Sequence, residues 1–124
     1  MTGSVSRIPV RFVLEDGRHA EGELIRFQAP KTTDALLRQL PIEGRAARWK
    51  EEVYFEAGIA MGAEKPKSKV EPGTIAFWPM GSAICVFYGE TQPYSPVNII
   101  GEVKSGIEIF RDVAAGSKIR MERA

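Results

Sequence analysis

Apolar and polar residues alternate with a period of two along much of this chain, the pattern of strands that bury one face. Ile8, Val10, Phe12 and Leu14 alternate with Pro9, Arg11 and Glu15 around them. Asp16-Gly17 then supplies a hairpin turn, because glycine accepts the positive φ such turns need. On the return, Ala20, Gly22 and Leu24 face one way while His19, Glu21 and Glu23 face the other. Ile42 to Trp49 and Val53 to Glu56 read as two further strands or as one bent strand. Gly62 to Lys69, with Pro66 inside it, is a polar loop. Thr74 to Trp78 and Ala83 to Tyr88 flank Pro79-Met80-Gly81-Ser82 and predict a hairpin. Both arms are apolar on successive residues, which implies burial on both faces, as in a barrel wall covered by helices. Val97 to Val103 is another strand, and Ser117 to Met121 closes the chain as one more. Between them, Ile107, Ile109, Phe110 and Val113 fit a short helix about as well as a strand.

One run breaks the alternation. In Ala29-Pro30-Lys31-Thr32-Thr33-Asp34-Ala35-Leu36-Leu37-Arg38-Gln39-Leu40-Pro41, Pro30 suits the first helical position, where a missing N–H costs nothing. Asp34 lies toward the positive end of the helix dipole and Arg38 toward the negative end. Leu36, Leu37 and Leu40 form one apolar stripe, and Pro41 stops propagation. The chain shows no internal repeat, low-complexity segment or linker. Residues 1–124 therefore read as a single mainly β domain, a closed antiparallel β-barrel with two short covering helices.

Composition narrows the partners. With 124 residues and 44% apolar content the chain can build one core. Its formal net charge is +1, so no broad field attracts phosphate backbones or anionic lipid, and neither nucleic acid nor a membrane is expected as a partner. Met1 to Arg7 runs into the first strand pattern with no apolar signal segment. Cys85, the single cysteine, excludes an internal disulfide, and a cytoplasmic location is expected.

Three segments in order carry a resemblance. The helical run is similar to the cyclophilin helix that reads roughly Val-Pro-Lys-Thr-Ala-Glu-Asn-Phe. Gly73-Thr74-Ile75-Ala76-Phe77 resembles the cyclophilin strand Gly-Thr-Leu/Val-Ser-Met. Val97-Asn98-Ile99-Ile100-Gly101-Glu102-Val103-Lys104-Ser105-Gly106-Ile107-Glu108 resembles His-Val-Val-Phe-Gly-Lys-Val-Val-Glu-Gly-Met-Asp. More closely, the chain resembles the compact prokaryotic cyclophilin-like family of unassigned function. That likeness rests on Trp49-x-x-Glu52-Val53-Tyr54-Phe55, on Phe77-Trp78-Pro79-x-Gly81-x-Ala83-Ile84-Cys85-x-Phe87-Tyr88-Gly89, and on Ser95-Pro96-Val97-Asn98-Ile99-Ile100-Gly101. The resemblance implies a cyclophilin-like barrel.

Cyclophilins are peptidyl-prolyl isomerases, and the chemistry has a clear requirement. Twisting an X–Pro amide crosses a barrier of roughly 18–20 kcal/mol while the nitrogen loses conjugation. An arginine that donates to the developing lone pair acts only on the twisted state. The resemblance makes Arg48 the candidate arginine, with Glu56 where the family has a glutamine, and Val53 and Tyr54 in place of a Phe-Met pair. It puts Cys85 where a floor phenylalanine is expected and Val97 where the family has histidine. The family's tryptophan has no counterpart near Tyr94, although Phe77 and Trp78 restore aromatic surface.

Plainer readings stand beside these. Arg48 beside Trp49 also fits an exposed strand arginine packing its stem on an aromatic neighbour. Glu51-Glu52 fits a solvated turn, His19 a polar-face residue, and Cys85 a small buried hydrophobe. Phe77, Trp78, Phe87 and Tyr88 fit core and barrel cover; Lys65, Lys67 and Lys69 fit a solvated loop. Gln92-Pro93-Tyr94-Ser95-Pro96 is rigid by composition and fits a connection or the rim of a groove. No motif asks for a cofactor or a metal.

Three functions follow. The first is a groove-type binding module for an extended or proline-containing peptide or another ligand, with little or no isomerase activity. The others are an active prolyl isomerase using Arg48, and a small-molecule-binding or oligomerising accessory domain.

Overall fold

The computed structural model describes residues 6–124. The expectation of no signal segment in Met1 to Arg7 rests mostly on positions outside the described residues. The first hairpin forms as the alternation requires, with β1 (Arg7–Leu14) and β2 (His19–Ile25) antiparallel about Asp16-Gly17. Gly17 takes a φ of 92°, which an L side chain resists. A 3-10 turn (Arg26–Gln28) leads into α1 (Pro30–Gln39). Then come β3 (Ile42–Arg45), β4 (Ala47–Trp49) and β5 (Glu52–Glu56), so the stretch from Ile42 to Glu56 is three strands. β6 (Thr74–Trp78) and β7 (Ala83–Phe87) make the expected hairpin, followed by β8 (Asn98–Ser105). Ile107–Asp112 resolves its ambiguity as a 3-10 helix, and β9 (Lys118–Arg123) ends the chain.

All pairings are antiparallel, in the order β3-β9-β1-β2-β8-β6-β7-β5-β4. The two end strands, β3 and β4, are consecutive and joined only through Ala46. One continuous segment thus pairs with β9 at its start and with β5 at its finish, which closes the barrel. Inside lie Val10, Phe12, Leu24, Phe55, Phe77, Ile100, Phe110 and Met121, all fully buried. Phe12 meets Phe55 and Phe110 edge-on, at centroid distances of 6.4 and 5.7 Å, the favoured geometry of aromatic quadrupoles. β2 and β8 cross so closely that a Cβ on Gly22 would sit 2.8 Å from the Glu102 carbonyl oxygen.

The helices close the two ends of the barrel. α1 follows the Ile25 end of β2 and buries Leu36 in the core. The 3-10 helix stands at the other end, where Gly106 packs on Ala20, and it contributes Ile109 and Phe110. Neither helix covers the β6–β7 wall. That wall is buried on both faces as expected, but its outer face is covered by the loops 62–73 and 89–97 through Val70 and Val97. Among the described residues no helix is long and apolar enough to cross a membrane.

The loop 62–73 is anchored by a polar network. Ala29 offers α1 no side-chain cap. Instead the Glu64 carboxylate accepts the N–H groups of Lys31 (3.0 Å) and Thr32 (2.8 Å) and the Thr32 hydroxyl (2.7 Å), satisfying donors that a helix start leaves open. Asn98, fully buried, donates to Thr32 Oγ1 and the Gly62 carbonyl and accepts from the Glu64 N–H.

Candidate functional site

Successive residues of a strand point to opposite faces, so β5 sorts its own side chains. Val53 and Phe55 turn into the barrel, whereas Glu52, Tyr54 and Glu56 turn outward. A two-residue turn, Lys50-Glu51, pairs Trp49 of β4 with Glu52 and so puts the indole on the same outer face. On β6 and β7 the outward positions are Ala76, Trp78, Cys85 and Phe87. The covering loop 89–97 does not seal this surface. It leaves a cavity of about 240 Å³ lined by Trp49, Glu52, Tyr54, Trp78, Pro93, Tyr94 and Val97.

Four rings form a continuous aromatic wall. Trp49 meets Tyr94 at 5.6 Å, Tyr94 meets Trp78 at 6.2 Å, and Trp78 meets Tyr54 at 5.8 Å, all edge to face. Both indole N–H groups are used to hold the loop: Trp49 donates to the Gln92 carbonyl (3.3 Å) and Trp78 to the Ser95 hydroxyl (2.5 Å). Gly81 lies against the Trp78 indole, where any side chain would collide with the ring. Tyr94 is 68% exposed, so the wall opens to solvent on that side.

Glu52 is the polar element of the cavity and is only 5% exposed. Burial pushes its carboxyl up to about 7, against a smaller opposing effect of its hydrogen bond with the Cys85 thiol. Burial likewise pushes the Cys85 thiol well up, and the neighbouring Glu52 adds to the shift. Cys85 is therefore a neutral thiol rather than a thiolate nucleophile. No ion pair reaches Glu52 among the described residues. Nor do three or more His, Cys, Asp or Glu side chains gather there as a metal site.

Of the residues singled out in the sequence, Tyr54, Trp78 and Val97 meet in this cavity. Cys85 lies on the same outer face, fully buried beside Glu52. Glu56 shares that face but is exposed and lies outside the cavity. Phe77 points the other way and is a core residue.

Arg48 also faces away from the cavity, because it is the register partner of the inward-facing Val53. Its guanidinium donates to the carbonyls of Val113 (2.6 Å), Phe110 (3.1 Å) and Arg111 (3.3 Å) and to the Tyr88 hydroxyl. It thereby caps the 3-10 helix, whose last carbonyls lack partners of their own. A shift of one residue in the reading of this strand exchanges Arg48 for a neighbour on the outer face.

The sequence alone reads Glu51-Glu52 as a solvated turn. Only Glu51 is in the turn; Glu52 is the first residue of β5 and is buried. Trp49 joins the cavity without any sign in the sequence, whereas Pro93 and Tyr94 belong to the segment that the sequence reads as a connection or the rim of a groove, and they line the cavity. The signal available for them was their aromatic and proline content, since their contact depends on how the loop 89–97 folds back.

The antiparallel barrel with its two short helices is the fold of a cyclophilin-like protein. The cyclophilin-like family model matches residues 8–122, and the chain belongs to that family. The chain is similar to the hypothetical protein AF2241 from Archaeoglobus fulgidus, known from a solution structure. Identity is 35%, the TM-score is 0.82, and the likeness covers 96% of each chain. It is also similar in fold to McbB, solved in complex with tryptophan, at 17% identity and a TM-score of 0.78. That likeness covers 92% of this chain and 44% of McbB. No curated protein matches the chain in sequence.

Proposed function

We propose that this barrel is a binding module whose outer-wall cavity takes one side-chain-sized group of an extended peptide or of a small ligand. The observation that carries the reading is the four-ring aromatic wall around a gap left open on an otherwise packed surface. Drug-sized ligands occupy roughly 300–1,000 Å³, so about 240 Å³ suits a single side chain or a small molecule. Among the described residues exposed large apolar side chains are few, and two of them, Tyr94 and Met80, lie at the cavity, Met80 through its contact with Ser95. Apolar surface concentrated at one opening is the mark of an interaction site.

The isomerase alternative has less support. A guanidinium already committed to three backbone carbonyls and a tyrosine hydroxyl has few N–H donors left for a twisted amide. NMR exchange on an Ala-Pro-containing peptide, with substoichiometric protein, separates the two readings. Uncatalysed exchange takes tens to hundreds of seconds. The expected result is unchanged exchange with shifts of the Trp49 and Trp78 indole N–H signals. Accelerated exchange that disappears in Arg48→Ala would instead make the chain an isomerase. Indole signals that move with neither peptides nor small amphiphiles would end the binding reading.

A further inference from the structure

The structure assigns the cavity a ligand class: we infer that it binds a substituted ammonium group, held between the four aromatic rings and the carboxylate of Glu52. This deepens the binding reading above and rests on it. Aromatic faces carry negative potential, and rings that surround a cation within about 6 Å of their centroids attract it, more strongly once water is excluded. Trp49, Tyr54, Trp78 and Tyr94 line one small space together.

The rings alone would also accept a neutral apolar group. Glu52 is what selects. It is 5% exposed, lines the cavity, and has no cationic partner among the described residues. A buried carboxylate without a counter-charge is costly, and a bound cation would supply what the chain does not. Trp49 already attracts one cation: the Lys50 ammonium stands 5.1 Å from its ring centroid. Lys50 lines the neighbouring depression with Glu51 and Glu90, not the cavity, so it leaves the Glu52 site free. The titratable groups that share the wall with Glu52 are Cys85 from β7, Tyr54 from β5 and Tyr94 from the loop 89–97. None of these is cationic, and the cysteine is held neutral by burial.

Because ionised Glu52 is the form that attracts a cation, affinity should follow its titration. Burial has moved that carboxyl to about 7. Binding should therefore strengthen as pH rises toward that value, by up to about tenfold per pH unit, and level off above it.

The test uses the chain's own reporters, since Trp49 and Trp78 are its two tryptophans and both line the cavity. Choline, its uncharged carbon isostere dimethylbutanol, and a short peptide containing trimethyllysine are titrated against intrinsic fluorescence. The expected result is that both ammonium probes bind with this pH dependence. Glu52→Gln should lose the dependence and weaken choline by about tenfold or more near pH 8. The peptide binding more tightly than choline would assign the ammonium to a protein side chain, and the reverse order to a free small molecule. Dimethylbutanol binding as well as choline, or choline binding unchanged in Glu52→Gln, would overturn the ammonium inference and leave the binding module standing. No response to any of the three would overturn both.

Discussion

The two faces of the β5–β7–β6 wall are both buried, yet they follow different rules. Inside, Val53, Phe55, Ile75, Phe77, Ile84 and Val86 present only hydrocarbon and meet the core from every side. Outside, the same strands carry Glu52, Tyr54, Trp78, Cys85 and Phe87 under two loops. The inner face is filled, as protein interiors are. The outer face holds a gap of about 240 Å³ and a carboxylate with no counter-charge among the described residues. Burial here serves packing on one side of the sheet and leaves a recognition surface on the other. The two sides differ by one residue of register.

The largest effect that would test this contrast is on the inside. Phe55→Ala removes a ring that contacts Phe12 in a closed core, and should cost about 3–5 kcal/mol, read as a lower denaturation midpoint at unchanged slope. Trp78→Ala on the outside should cost less, because the ring is only half-buried, while abolishing the fluorescence response to choline. Equal stability losses at the two positions would break the contrast.

Next in size is the pH dependence of stability. The folded Glu52 carboxyl titrates at about 7, raised from 4.5. Between those values the native state holds a proton that the unfolded chain has released, so stability falls as pH rises through this window and is flat above it. At about 1.36 kcal/mol per pH unit, the loss is at most about 3.4 kcal/mol, an upper bound because the cavity is open to solvent on the Tyr94 side. Glu52→Gln removes the slope. The variant should therefore exceed the wild type in stability near pH 8 and lose that advantage near pH 4, as thermal melts at the two pH values would show. A mutation that stabilises while weakening binding is the expected signature of a group kept for function.

Much of the barrel is readable in the sequence. The alternation in β1 and β2, the Asp16-Gly17 turn, the apolar arms of β6 and β7 and the two helical segments all follow local rules of period and propensity. What local rules leave out is contact at long range. Nothing near Glu52 in the chain marks it as buried, since it sits beside the exposed turn Lys50-Glu51. Its burial comes from β7 on one side and from Pro93 and Tyr94, some forty residues on, above it. Arg48 shows the same limit from the other direction. The resemblance pointed to an arginine at the right separation from Glu56, but strand parity decides which face it takes, and parity depends on where the two-residue turn falls.

Arg48→Ala should accordingly act on the fold rather than on the cavity. Loss of a charged donor from the carbonyls of the 3-10 helix is expected to cost about 1.5–3 kcal/mol, with choline titrations unchanged. Arg48→Lys should recover only part of the loss, because one ammonium cannot span the same set of acceptors. Impaired choline binding in a folded Arg48→Ala protein would contradict the separation of the two faces.

The smallest effect probes what keeps the outer surface covered. Glu64 belongs to the loop 62–73, whose Val70 packs on that surface, and its carboxylate caps α1 in place of Ala29. Partial burial works to raise the Glu64 carboxyl, but the N–H groups of Lys31 and Thr32, the Thr32 hydroxyl and the Lys31 charge outweigh it. The group is held below its ordinary value. Its contribution is thus complete above the ordinary carboxylate range and fades as pH falls through the lowered value. Glu64→Ala should cost about 1 kcal/mol, the usual loss when a helix cap is removed. The informative readout is where the loss falls. Hydrogen exchange should speed up at Lys31, Thr32 and the amides of the loop, while β1 and β2 keep their protection. The inner face would then be shown to stand without the covering that the outer face requires. Exchange rising equally in β1 and β2 would mean that both faces belong to one cooperative unit.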